Sequence, residues 1–204
     1  MNAWVWLALA LFTGWAVTAF GIRAAIQARR TGDAGFRGIS GRPGSASWWA
    51  GVLFVLALLG GAAAPLAALA GLPDLSGTGA LVWRWAGLVI TVGGIAITLA
   101  AQSAMGASWR VGVDAGEQTA LVTSGTFASV RNPVFTAMTV TAAGLALMVP
   151  NAVAVLALTA LVAAIQLQVR IVEEPYLHAT HGAAYTDYTA RAGRFLPGIG
   201  RRTG

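Results

Sequence analysis

Long apolar runs alternate with shorter polar segments along the whole chain. A helix that crosses the hydrocarbon core of a bilayer needs about 20 predominantly apolar residues. The pattern therefore predicts five membrane-spanning helices, over residues 3–26, 50–70, 81–103, 134–149 and 152–172. Only Pro150 and Asn151 separate the last two runs, which predicts an antiparallel helix hairpin.

The distribution of arginine predicts how these helices are oriented. Residues 27–47, 104–132 and the tail after 172 hold nearly all of the arginines, whereas the linkers around Asp74 and Pro150 hold none. Five spans place the arginine-rich segments on one side, and basic loops stay in the cytoplasm. We therefore predict an all-α integral membrane helix bundle with an external N-terminus and a cytoplasmic C-terminal helical tail, broken at Gly182.

Composition excludes several other classes of protein. Hydrophobic residues make up 57% of the chain and charged residues only 10%, against about 25% charged in soluble domains. The net charge of +6 comes from arginines that flank apolar runs, which indicates membrane topology and no nucleic-acid partner. The chain has no cysteine and two histidines, so we expect neither a disulfide framework nor a metal site.

Two polar groups stand out at the ends of apolar runs. Arg131, Asn132 and Pro133 directly precede the fourth run, where Pro suits the first helical turn and Arg needs water, a headgroup or an acid. Glu173 and Glu174 follow the fifth run. Both groups also have a purely structural explanation. The first could be a capped helix start, and the second could be an ion pair between Arg170 and one of the glutamates at i,i+3 or i,i+4.

Four short motifs in the second half of the chain form an ordered set: RNPVF at 131–135, EEPYL at 173–177, HGAAYTDY at 181–188 and RFLP at 194–197. The set resembles the isoprenylcysteine carboxyl methyltransferase family, whose pattern is Arg-His-Pro-x-Tyr, Glu-Glu-x-x-Leu, Gly-x-x-Tyr-x-x-Tyr and Arg-Phe-x-Pro. Phosphatidylethanolamine N-methyltransferases are more distant relatives. The resemblance divides the chain into three N-terminal transmembrane helices, 1–103, and a methyltransferase core, 104–204.

The resemblance implies an enzyme that uses S-adenosyl-L-methionine to methylate a lipophilic small-molecule or lipidated acceptor that enters from the bilayer. Membrane lipids are the other expected partners. In that family the cofactor lies between the loop leading into the Arg-His-Pro motif and the Glu-Glu helix. Carried onto this chain, the cofactor contacts fall on Thr119, Ala120, Leu121, Val122, Phe127, Asn132, Pro133, Val134, Phe135 and Glu173.

The acceptor side is less closely matched to the family. An arginine near the Glu-Glu motif meets the substrate carboxylate there, and Arg170 is the nearest one here; Arg110 is a second candidate. Arg170 and Glu174 are the expected catalytic residues. Asn132 replaces the family histidine and cannot act as a base, which favours a carboxylate acceptor because a carboxylate needs no deprotonation.

Other functions are compatible with parts of the same pattern. A membrane phospholipid or amine N-methyltransferase shares the methyl donor. A nicotinamide-dependent steroid or enoyl-lipid reductase carries similar Asn-Pro and Gly-x-x-Tyr-x-x-Tyr patterns. A non-enzymatic scaffold or transporter-like bundle is the remaining alternative, although the apolar runs hold almost no ionisable residue for ion transport.

Overall fold

The computed structural model describes residues 2–36, 38–75, 77, 80–109 and 120–202. Within these ranges the regular structure is helical, apart from isolated β-bridges such as those between Val130 and Gly193 and between Leu196 and Ile199. The helices are α1 (Asn2–Thr31), α2 (Ala46–Leu69), α3 (Ala80–Met105), α4 (Pro133–Met148), α5 (Ala152–Leu167) and α6 (Glu174–Arg191). A π-helical turn, Gln168–Glu173, joins α5 to α6. The backbone of α6 is kinked at Gly182, where φ is 50° and ψ is -121°, which confirms the predicted break.

Four helices of the described chain are long and apolar enough to cross a membrane: α1, α2, most of α3, and the helix formed by α5 with α6. The predicted helical membrane bundle is thereby confirmed. The fourth predicted span, 134–149, corresponds to α4, which has 16 residues. A helix of that length is about 24 Å long, shorter than the roughly 30 Å hydrocarbon core.

Close helix packing in the bundle depends on glycines at two facing helices, α3 and α4. A Cβ at Gly94 would lie 2.7 Å from the backbone nitrogen of Thr141, and one at Gly144 would lie 2.6 Å from that of Thr91. Small residues of this kind let membrane helices approach closely. Gly93 has no such role, since a Cβ there would meet nothing within 4 Å.

One end of the bundle gathers the short neutral linkers. The backbone nitrogen of Leu75 donates to the carbonyl of Pro150 at 2.8 Å. Asn151 is almost fully buried; it accepts from the nitrogen of Ala154, which caps α5, and donates to the carbonyl of Ala64 in α2. The hairpin between α4 and α5 is therefore fastened to α2.

The opposite end gathers the arginine-rich segments. Phe36 contacts Trp109 edge to face, with ring centroids 6.2 Å apart, and the nitrogen of Arg131 donates to the carbonyl of Gly193 at 2.8 Å. The predicted grouping of these segments at one end is confirmed. Their placement on the cytoplasmic side of the membrane stays a prediction.

Candidate active site

The arginine-rich end contains a cavity of about 710 Å³. Binding cavities for small molecules usually measure about 300–1,000 Å³. Its walls come from α1, α2, the end of α3, the segment before α4, the start of α4, and the region where α5 passes into α6. The site is thus built between elements that are far apart in the sequence.

Both π-helical turns found in the described residues border this cavity. In α1 the turn spans Val17–Ile22, and in the α5–α6 helix it spans Gln168–Glu173. Pro175 explains the second turn, because proline offers no N–H and its ring clashes with the carbonyl four residues earlier. The nitrogen of Glu174 accordingly donates to the carbonyl of Val169, five residues back. Turns of this type occur frequently at functional sites.

Glu174 forms the centre of an ion-pair cluster at the polar end of the cavity. Arg194 binds its carboxylate with two donors, Nε at 2.7 Å and Nη2 at 3.0 Å. Arg131 reaches the same carboxylate with Nη2 at 3.2 Å, and Arg202 does so at 3.3 Å. The side chains of Glu174 and Arg131 are 3% and 2% exposed, whereas that of Arg202 is 53% exposed. The cluster has an excess of positive charge, which suits an anionic ligand group.

The buried environment changes the acid–base properties of these arginines. Burial lowers the pKa of Arg131, and the Glu174 carboxylate opposes that shift. The hydrogen bond to Glu174 raises the pKa of Arg194. Arg131 keeps two further donors, Nε and Nη1, that find no acceptor among the described residues. Arg131 lines the cavity, so these two buried donors lie beside the space for a ligand.

The C-terminal segment after α6 is hydrogen-bonded to the segment before α4. Asn132 donates from both its backbone nitrogen and its Nδ2 to the carbonyl of Arg194, at 3.2 and 3.0 Å. The hydroxyl of Thr136 donates to the carbonyl of Phe195 at 2.8 Å. Two sequence motifs, RNPVF and RFLP, are therefore in direct contact, and together they hold Arg131 and Arg194 around Glu174.

Two tyrosines of α6 close another wall of the cavity. Tyr185 and Tyr188 lie three residues apart and so face the same side of the helix. Both are almost fully buried. The hydroxyl of Tyr188 donates to the carbonyl of Phe127 at 2.7 Å, and this contact fixes the segment that leads into α4.

The other end of the cavity is apolar. Phe20 of α1, Phe54 and Leu58 of α2, Met138 of α4 and Ile165 of α5 line it. This lining lies along membrane-spanning helices, one or more turns away from Asn132 and Glu174. The cavity is therefore amphipathic, with charge at one end and hydrocarbon at the other.

Most of the residues predicted to bind the cofactor line this one cavity. The structure brings together Ala120, Leu121, Val122, Phe127, Asn132, Pro133, Val134, Phe135 and Glu173, together with Glu174. Arg110 and Thr119 lie outside the described residues.

Arg170 is placed differently from the rest of the set. It is exposed, it does not line the cavity, and its Nε donates to Gln166 at 2.6 Å. The sequence allowed an ion pair between Glu174 and Arg170. In the structure, the carboxylate of Glu174 is instead surrounded by arginines from the segment before α4 and from the C-terminal segment. The geometry therefore does not bring Arg170 together with the other site residues.

Gln102 is a cavity residue that the motifs did not single out. Its side chain is buried, and its Nε2 donates to the carbonyl of Ala19 in the π-helical turn of α1 at 3.0 Å. Its Oε1 has no donor among the described residues. The sequence signal that could have identified Gln102 is its polar side chain inside an apolar run, because such residues face the bundle interior or a cavity.

The fold and the cavity define an integral membrane protein with an amphipathic cavity. The sequence model of the family described as Phospholipid methyltransferase matches residues 82–184, about half of the chain, and the chain belongs to this family. The match confirms the predicted relationship to membrane methyltransferases and supports methyl transfer over nicotinamide-dependent reduction. No curated protein matches the chain significantly.

Proposed function

We propose that the protein uses S-adenosyl-L-methionine to methylate a carboxylate on a lipophilic acceptor, as isoprenylcysteine carboxyl methyltransferases do. The observation that carries this proposal is the amphipathic cavity, whose charged end contains the RNPVF and EEPYL residues and whose other end is apolar. Such a cavity matches a reaction between a water-soluble, charged donor and a membrane-soluble acceptor.

The residues at the charged end fit this cofactor. The carboxylate of Glu173 suits the amino group of the methionyl part or the ribose hydroxyls, and the unpaired Nε and Nη1 donors of Arg131 suit a carboxylate. Phe127 and Phe135 supply flat apolar surface for an adenine ring. When bound, S-adenosyl-L-methionine would supply an electrophilic methyl group on a sulfonium.

The acid–base groups of the cavity favour a carboxylate acceptor. No histidine lines the cavity in the part of the chain that the structure describes. Glu174 is bound by three arginines, which engage both oxygens of its carboxylate. An acceptor carboxylate is ionised at neutral pH and needs no base, whereas an ammonium or hydroxyl group must lose a proton.

Methylation of a phospholipid amine is the second candidate, and the family match favours it. Among the described residues, Glu173 is the cavity carboxylate outside the arginine cluster, so it is the described group that would remove the proton from an ammonium. Glu173 hydrogen-bonds Gln168 at 3.2 Å, and a base at this position would need to move away from that contact or share it.

Product chemistry distinguishes the two candidates. Purified protein is incubated with methyl-labelled S-adenosyl-L-methionine and either an N-acetyl-S-farnesylcysteine or phosphatidylethanolamine vesicles. We expect label in the prenylcysteine and its release as methanol by mild alkali, because a methyl ester hydrolyses and an N-methyl group does not. Alkali-stable label in phosphatidylethanolamine would overturn the carboxylate assignment and leave the methyltransferase assignment intact.

A further inference from the structure

A second, smaller cavity, which we call the inner chamber, lies between the helices, further from the arginine-rich end than the main cavity. Its volume is about 50 Å³, and residues of α1, α2, α4 and α5 surround it, none of them ionisable. A space of this kind, lined by apolar side chains, favours apolar ligands over water.

The inner chamber lies on the same axis as the apolar end of the main cavity. On each of the four helices its lining residues lie about one turn, or roughly 5.4 Å, beyond residues that line the main cavity. The pairs, main cavity first, are Ala16 and Phe12, Phe54 and Ala57, Met138 and Ala142, and Ile165 and Leu161. The chamber is therefore stacked under the floor of the main cavity.

Leu58 separates the two spaces. It is the residue that lines both, and it packs against the buried cluster of Trp15, Ala19 and Met138. Rotation or shortening of this side chain would join the chamber to the main cavity. The neighbouring Leu59 is 63% exposed and takes no part in the partition.

We propose that the inner chamber receives the far end of the acceptor's hydrocarbon chain and that Leu58 sets the longest chain accepted. This inference rests on the proposed function. A ligand whose head group meets Arg131 directs its tail along the apolar wall towards the chamber. Along α4 the chamber begins at Ala142, nine residues beyond Pro133 and so about 14 Å from the polar end.

The test compares acceptors of increasing length, the S-geranyl, S-farnesyl and S-geranylgeranyl derivatives of N-acetylcysteine. We expect Leu58→Ala to raise the ratio of kcat/KM for the geranylgeranyl over the farnesyl acceptor about tenfold or more, the usual effect of matching an apolar pocket to its substrate. Ala142→Leu, which fills the chamber, should lower the same ratio. Leu59→Ala is the matched control and should leave it unchanged.

Thermal stabilisation of each variant by the same compounds, in the absence of the methyl donor, provides a readout that does not need turnover. On going from the farnesyl to the geranylgeranyl compound, the gain in stabilisation should be larger for Leu58→Ala than for the wild-type protein. If the wild-type protein methylates none of these acceptors, the proposed function fails, while the stabilisation series still decides the role of the chamber. A length preference that is the same in all four proteins, in both assays, would overturn the inference.

Discussion

Replacement of Glu174 by glutamine tests the ion-pair cluster that closes the charged end of the cavity. The glutamine side chain has nearly the same size but carries no charge, and its amide N–H groups would face arginine donors. Arg131, whose side chain is 2% exposed, would then be a buried charge with its carboxylate partner removed. Loss of one partner of a buried ion pair costs about 3–5 kcal/mol.

The structure also provides a matched control within the same cluster. Arg202 contacts the same carboxylate at 3.3 Å, but its side chain is 53% exposed. Exposed ion pairs are worth about 0–1 kcal/mol. Arg202→Gln should therefore change stability little, and so should Arg170→Gln, which alters an exposed residue of the same long helix.

Unfolding of the purified proteins in detergent, followed by loss of helical circular dichroism, measures these differences. For a chain of this size about 1 kcal/mol shifts the Tm by roughly 2–4 °C, so Glu174→Gln should lower the Tm by roughly 6–20 °C. Arg202→Gln and Arg170→Gln should each lower it by less than about 4 °C. A decrease in Glu174→Gln no larger than in the two controls would refute the view that Glu174 holds this end of the protein together.

Three further predictions follow from the site and the topology. Tyr188→Phe removes the donor to the Phe127 carbonyl and should cost about 1–3 kcal/mol in the same unfolding assay; an unchanged Tm would contradict it. Asn132→His should retain turnover because a ring N–H can replace the donor to Arg194, whereas Asn132→Ala should lose much of it, and equal rates would contradict this. A reporter after residue 202 should be cytoplasmic and one near residue 74 external, and a reversed pattern would contradict the predicted orientation.

The helices were the part of the structure most open to prediction from sequence. Apolar runs predicted all five hydrophobic helices, because a span must bury about 20 residues in lipid. Four of the five are long enough to cross a membrane, and α4 is shorter. The third run, 81–103, corresponds closely to α3, which is Ala80–Met105. The continuity of α5 with α6 was harder to predict, because the chain becomes polar after residue 172 and Pro175 is expected to disturb the helix. The structure accommodates that proline through a π-helical turn.

The roles of Glu173 and Glu174 could not be separated by sequence alone. Adjacent residues on a helix point in different directions, but their directions relative to the rest of the protein depend on tertiary structure. The partners of Glu174 lie 43 residues earlier, at Arg131, and 20 and 28 residues later, at Arg194 and Arg202. Arg170, which is the nearest arginine in the sequence, is exposed. The motifs therefore predicted which segments form the site, and only the fold determined which charges meet.

Calorimetric titration of S-adenosyl-L-methionine into the purified protein tests the central claim most directly. We predict saturable binding to the wild-type protein and an affinity about 10–150-fold lower for Glu173→Gln, the equivalent of about 1.5–3 kcal/mol for a charged hydrogen bond. Arg170→Gln should bind as the wild-type protein does. Absence of binding to the wild-type protein, or an unchanged affinity in Glu173→Gln, would contradict the assignment of this cavity as the methyl-donor site.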